Sequence, residues 1–177
     1  MRFYKIAGLG VAVLLFAGCG GNEPEIVTQD TQVCNQPKYT IAIGKISTTD
    51  SNVMSKEDFR SLLGKTIKNT NCFIVESKLS NPKVGYVLDI EYGLQVQETK
   101  EDTSMISSKD TALLKSEVHF TLKNPSQTIT QNASNTMKLS GKKYLGLGEK
   151  VEVTYEQKSG LVKKSLYSII TNLSKMP

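Results

Sequence analysis

Between residues 86 and 97 the chain alternates almost strictly. Tyr86, Leu88, Ile90, Tyr92, Leu94 and Val96 fall on one parity, and Val87, Asp89, Glu91, Gly93, Gln95 and Gln97 on the other. Successive strand side chains point to opposite faces, so this stretch predicts a long strand with one face on a core and one in water. A one-sided strand of that length needs neighbours to pair with and a second layer to cover its apolar face.

The rest of the chain supplies both. Residues 39–46 (YTIAIGKI) form a β-rich segment with Ile41 and Ile43 on one side, and Cys72-Phe-Ile-Val75 reads as a second short strand. Between them, Phe59, Leu62, Leu63 and Ile67 share one helical face. Ser55 is placed as N-cap with Asp58 three residues on, and Lys65 and Lys68 suit the negative C-terminal end. Gly64 weakens that helix by ~1 kcal/mol against Ala unless close packing requires it. After the long strand, 99–111 (TKEDTSMISSKDT) is polar and reads as a mobile connection. Leu114, Val118, Phe120 and Leu122 resume the alternation, 124–127 (NPSQ) makes a turn, and a return strand covers 128–139 with Ile129, Ala133, Met137 and Leu139 on one face. A glycine-rich loop at 141–148 precedes a possible short strand at Val151, Val153 and Tyr155. Leu161, Val162, Leu166, Ile169, Ile170 and Leu173 mark a closing amphipathic helix. The order β-α-β-β-β-β-α predicts an α+β fold, a mostly antiparallel four- to five-stranded sheet with two helices packed on one face.

The N-terminus has a different character. Arg2 and Lys5 precede an uncharged, mostly apolar run, Ile6 to Ala17. That run falls short of the ~20 apolar residues a spanning helix needs and has the layout of a secretory leader. Its end, Leu15-Phe16-Ala17-Gly18-Cys19, resembles the bacterial lipobox. The resemblance implies cleavage before Cys19, a diacylglyceryl group on its thiol and an acyl chain such as palmitate on its freed amine. Gly20 follows, not the Asp that marks inner-membrane retention, so the implied address is the outer membrane, facing the periplasm. The domain plan is therefore a signal peptide at 1–18, a lipidated Cys and flexible tether at 19–37, and one periplasmic domain at 38–177. A tether of that size has an r.m.s. reach of roughly 23 Å, which holds the domain close to the membrane.

The formal charge is +5, and removing Arg2 and Lys5 with the leader leaves +3. The lysines are scattered apart from Lys142-Lys143 and Lys163-Lys164, so no basic stripe for nucleic acid is present. With Cys19 lipidated, Cys34 and Cys72 remain. An oxidising periplasm favours a disulfide between them, and it fits geometrically if 39–46 and 72–77 are parallel strands joined by a crossover helix, placing both cysteines at one sheet end. Two unrelated free thiols are the alternative. Neither those cysteines nor the single histidine makes a metal-ligand cluster, and no cofactor is expected. His119 falls opposite Val118 and Phe120, on the wet parity with Lys115 and Glu117, and no nucleophile motif accompanies it. The 141–148 glycines lack phosphate-loop order, and Asp89 and Glu91 read as wet-face charges rather than an acid pair.

YTIAIGKI, EDFRSLLGKTIKNT, CFIVES, GYVLDIEY, EVHFTLKNPSQTITQNASNTMKLSG and LVKKSLYSIITNLSKM, in that order, resemble the core module of the CsgG/LpoB-like family of outer-membrane lipoproteins. That family includes the curli secretion channel and an activator of penicillin-binding proteins. The resemblance implies a non-enzymatic lipoprotein, held in the membrane through Cys19, that binds an envelope protein or self-assembles within a secretion, surface-fibre or flagellar apparatus. The alternatives are an activator of a peptidoglycan synthase and a lipoprotein like the lipopolysaccharide-assembly plug. A pore needs membrane-spanning hairpins beyond this module, and a synthase activator needs a longer tether. Contact is expected through an exposed strand edge, the loop 99–111 or the loop 141–150.

Overall fold

The computed structural model describes residues 31–49, 53–104, 107–144 and 151–177. The leader and Cys19 lie outside them. Five strands and two helices follow in the expected order: β1 (Tyr39–Thr48), α1 (Lys56–Thr70), β2 (Phe73–Val75), β3 (Tyr86–Ser104), β4 (Ser107–Lys123), β5 (Thr128–Tyr144) and α2 (Tyr155–Ser174). The sheet order is β2-β1-β3-β4-β5. β1 pairs in parallel with β2, as the α1 crossover requires, and also with β3, and the longer β3-β4-β5 ladders are antiparallel.

Alternation sets the register. Leu88 faces Leu122, Ile90 faces Phe120 and Tyr92 faces Val118 across β3 and β4, so one sheet face is largely apolar. These residues join Phe59, Leu63 and Ile67 of α1 and Leu166, Ile169 and Ile170 of α2 in one buried cluster. Phe59 stacks on Tyr92 with ring centroids 3.9 Å apart. The Tyr92 hydroxyl donates to the Met54 carbonyl at 3.1 Å, which satisfies the one polar atom this burial would strand. Burial pushes the Tyr92 phenol upward in pKa. Ser116 stands where the pattern calls for an apolar residue; Ser165 of α2 donates to it at 3.1 Å and accepts from Asn135 at 3.0 Å. That small polar patch gives α2 a fixed seat on β4 and β5.

Three expectations need correction. Residues 99–111 are not a mobile connection: β3 runs to Ser104, β4 starts at Ser107, and pairing continues through Thr99↔Thr111 and Lys100↔Asp110. β5 flanks β4 as far as Ser107↔Tyr144. Backbone ladders on both sides of β4 supply the cohesion that hydrophobic alternation does not register. The arm continues roughly 20 Å past Glu98, at ~3.4 Å per residue. Part of the proposed 141–148 loop, Gly141 to Tyr144, is likewise strand, while 145–150 lie outside the described residues. The short strand at Val151, Val153 and Tyr155 is an extended lead-in that ends at Thr154, and α2 begins at Tyr155, six residues before the first apolar helix position. A capping box causes this: Gln157 N donates to Thr154 Oγ1 at 3.2 Å, and Thr154 N donates to Gln157 Oε1 at 3.0 Å.

The segment before β1 is fastened at several points. Cys34 and Cys72 form a disulfide with Cα atoms 5.0 Å apart. The amides of Val33 and Cys34 both donate to Thr70 O at 3.0 Å. Asn71, the left-handed C-cap of α1, donates its side-chain amide to the carbonyls of Cys34 and Asn35. Lys38 Nζ donates to Ser174 O and Met176 O, capping α2 with a cation where its dipole favours one. These bonds tie residues 33–38 to the C-terminal ends of α1 and α2.

A candidate binding trough at the sheet edge

α1 lies across the β1-β2 end of the sheet, and its sequence decides what that end exposes. Ser55 Oγ accepts the Asp58 amide at 3.1 Å and fixes where the helix starts. Phe59, Leu63 and Ile67 then turn inward. One line further round, Arg60, Gly64 and Lys68 recur every four residues, about 6 Å apart along the axis. All three face an apolar trough of about 400 Å³. Its floor is Leu63 and Ile67 from α1 with Ile43, Phe73 and Val75 from the strands.

The trough exists for two local reasons. Gly64 has no side chain to fill it, and a Cβ built there meets nothing within 4 Å. β2 is only three residues long, so it ends at Val75 while β1 continues to Thr48 and the sheet edge steps inward. Phe73 and Val75 point to the helix side and Ile74 to the other, with Ile74 50% and Val75 51% exposed. Leaving two β-branched apolar residues this open on a terminal strand is what proteins ordinarily avoid at a sheet edge. Arg60 and Lys68 are exposed, one at each end of the glycine gap.

The opposite sheet face is wet and internally paired. Asp89 accepts from the Lys45 amide at 2.9 Å and from Lys123 Nζ at 3.0 Å, and these two bonds, the backbone one foremost, hold its carboxyl below the usual range. The Lys45 bond also pins a bulge in β1 between Ile43 and Ile46, where Gly44 approaches Asp89 and Val87 too closely for any side chain. Lys115 pairs with Glu117 at 2.6 Å. His119 is exposed beside Glu91 and Asn132 in register. The buried serines, Ser116 and Ser165, lie on the other side of the sheet from it.

The structure thus joins Cys34 to Cys72 and leaves Cys19 outside the described residues. Among the described residues no three His, Cys, Asp or Glu side chains converge to hold a metal ion. No helix there is long and apolar enough to cross a membrane. Sequence reasoning missed the trough. Its signal was the Arg60-Gly64-Lys68 spacing on a helix otherwise read only for its core face.

Together these features define an α+β domain with a one-sided core and a grooved, stepped sheet edge. No family model and no curated protein matches the chain. Among solved structures it is similar to a putative neuraminyllactose-binding hemagglutinin homolog from Helicobacter pylori (12% identity, 79% of this chain and 89% of that one, TM-score 0.44). It is also similar to a minor lipoprotein from Acinetobacter baumannii (16% identity, 77% and 89%, TM-score 0.38). A hypothetical protein from Chlamydia trachomatis covers 77% of this chain and 96% of its own at 5% identity and a TM-score of 0.33.

Proposed function

We propose that this protein is a non-enzymatic lipoprotein of the cell envelope, anchored through Cys19 in the outer membrane and facing the periplasm. It serves as a binding or assembly module of an envelope machine. The observation that carries the binding role is the trough: an apolar, cation-flanked groove beside an unprotected terminal strand, a surface suited to strand addition by a partner. The anchor rests on the lipobox-like end of the leader. The Cys34–Cys72 bridge fits an oxidising compartment.

Two measurements test this reading. Cys19→Ala should abolish labelling by a radioactive fatty acid and release the protein from the membrane fraction; persistent labelling would remove the anchor. Crosslinking in intact cells followed by mass spectrometry should recover a component of a secretion, fibre or flagellar apparatus, or a ring of self-contacts. Recovery of a penicillin-binding protein would replace the assembly role with synthase activation, and a large β-barrel would replace it with a plug-like role. Only unrelated abundant envelope proteins would overturn the module reading altogether.

A further inference from the structure

We infer that the trough takes an extended segment of a partner protein with the pattern acid–x–bulky apolar–x–acid. This rests on the binding-module reading above and names what that module recognises. The geometry points to the pattern through a match of repeats. Arg60, Gly64 and Lys68 are four residues apart on α1, about 6 Å per step along the helix. Alternate residues of an extended chain, which share one face, are about 6.6–6.8 Å apart. A strand laid beside β2 therefore sets residues i, i+2 and i+4 against Arg60, Gly64 and Lys68, in either direction. The outer two positions meet cations and call for Asp or Glu. The middle position meets the glycine gap over Leu63, Ile67, Phe73 and Val75 and calls for Leu, Ile, Val or Phe.

The same geometry separates a peptide from its rivals. An anionic lipid would use the cations and the apolar floor but has no use for the outer backbone edge of β2, terminal among the described strands, whereas a peptide uses all three. The chain's own segment at 20–30 has Glu23, Glu25 and Asp30, yet none of its apolar residues has an acid two positions away on both sides. On the open sheet face, two of the lysines that could meet an acidic partner, Lys115 and Lys123, are already paired with Glu117 and Asp89.

The test uses the chain from residue 20 onward and a fluorescent, end-blocked synthetic peptide, Ser-Glu-Thr-Leu-Thr-Glu-Ser, read by anisotropy and by amide shifts. Binding should move the amides of Phe73, Ile74 and Val75 and weaken with added salt. Replacing both glutamates of the peptide with lysine should weaken it on the order of tenfold, as loss of two exposed ion pairs implies. Gly64→Leu, which fills the gap on the exposed side of α1, should abolish binding while leaving the fold intact by circular dichroism. Equal affinity for the lysine peptide, unchanged binding by Gly64→Leu, or shifts confined to the open sheet face would overturn the inference. So would displacement of the peptide by palmitate, which makes the trough an amphiphile site. A chain starting at residue 31 that binds tenfold more tightly would make the N-terminal segment the occupant and overturn it likewise. If no such peptide binds but a trough-directed crosslinker still captures one envelope protein in cells, the pattern fails and the module reading survives.

Discussion

Replacing Gly64 with Ala should stabilise the protein, and by an amount that can be worked out beforehand. Gly64 lies mid-way along α1, exposed, and an added Cβ meets nothing within 4 Å. No steric cost offsets the helix-propensity gain of roughly 0.8–1 kcal/mol, much of which comes from a less flexible unfolded chain. For a domain of this size that raises the melting temperature by roughly 3–5 °C. With a urea m-value of about 2 kcal/mol/M the midpoint moves up by about half a molar while m stays the same. Gly44→Ala is the contrasting control. There a Cβ crowds Asp89 Oδ1, which the Lys45 amide holds in place, and lies 2.8 Å from Val87 Cγ1, so the same change should destabilise. A neutral or destabilising Gly64→Ala, or an altered m, would refute the claim that packing does not require the glycine. If the claim holds, stability is being forgone at that position, as expected where a surface is kept open for binding.

The disulfide spans 38 residues of sequence, so Cys34→Ala/Cys72→Ala should lose about 4 kcal/mol in the chain-entropy model, measured by urea unfolding against the oxidised parent. A loss under about 1 kcal/mol would mean that the backbone bonds at Thr70 hold the strap unaided. Asp89 titrates lower in the folded state than unfolded. Its contribution to stability is therefore present above its unfolded pKa and disappears as pH falls through the folded one. Asp89→Asn should thus be less stable at pH 7, by under about 1 kcal/mol because the ion pair is half in solvent, with the difference closing below pH ~4. A difference that persists after Asp89 has been protonated in the folded state would assign the effect to the bulge geometry rather than to charge.

How much of this was legible in the sequence depended on what alternation can encode. The β3 and β4 cores, from Tyr86 to Val96 and from Leu114 to Leu122, bury one face, and period two reports burial directly. Ser55 was legible because a cap is a local bond between near neighbours. The Cys34–Cys72 pairing followed once the crossover made the two strand starts adjacent. The arm at 99–111 was not legible. Its strands are held by backbone pairing to both sides of β4, and that leaves no apolar trace. Thr154 and Gln157 did form a visible capping pattern, but Val151 and Val153 before it imitated strand periodicity and hid the helix start. The trough needed a tertiary fact, namely that α1 lies over the end of a strand only three residues long.

The central claim, that the stepped edge beside α1 is the protein-binding surface of an anchored envelope module, is tested most directly by site-specific photo-crosslinking in intact cells. A photoreactive residue at Val75, in the trough, is compared with one at Glu91, exposed on the open sheet face. The account predicts one predominant crosslinked envelope protein from Val75, lost in Gly64→Leu, and little from Glu91. Equal capture from both positions, or only lipid adducts from Val75, would contradict it.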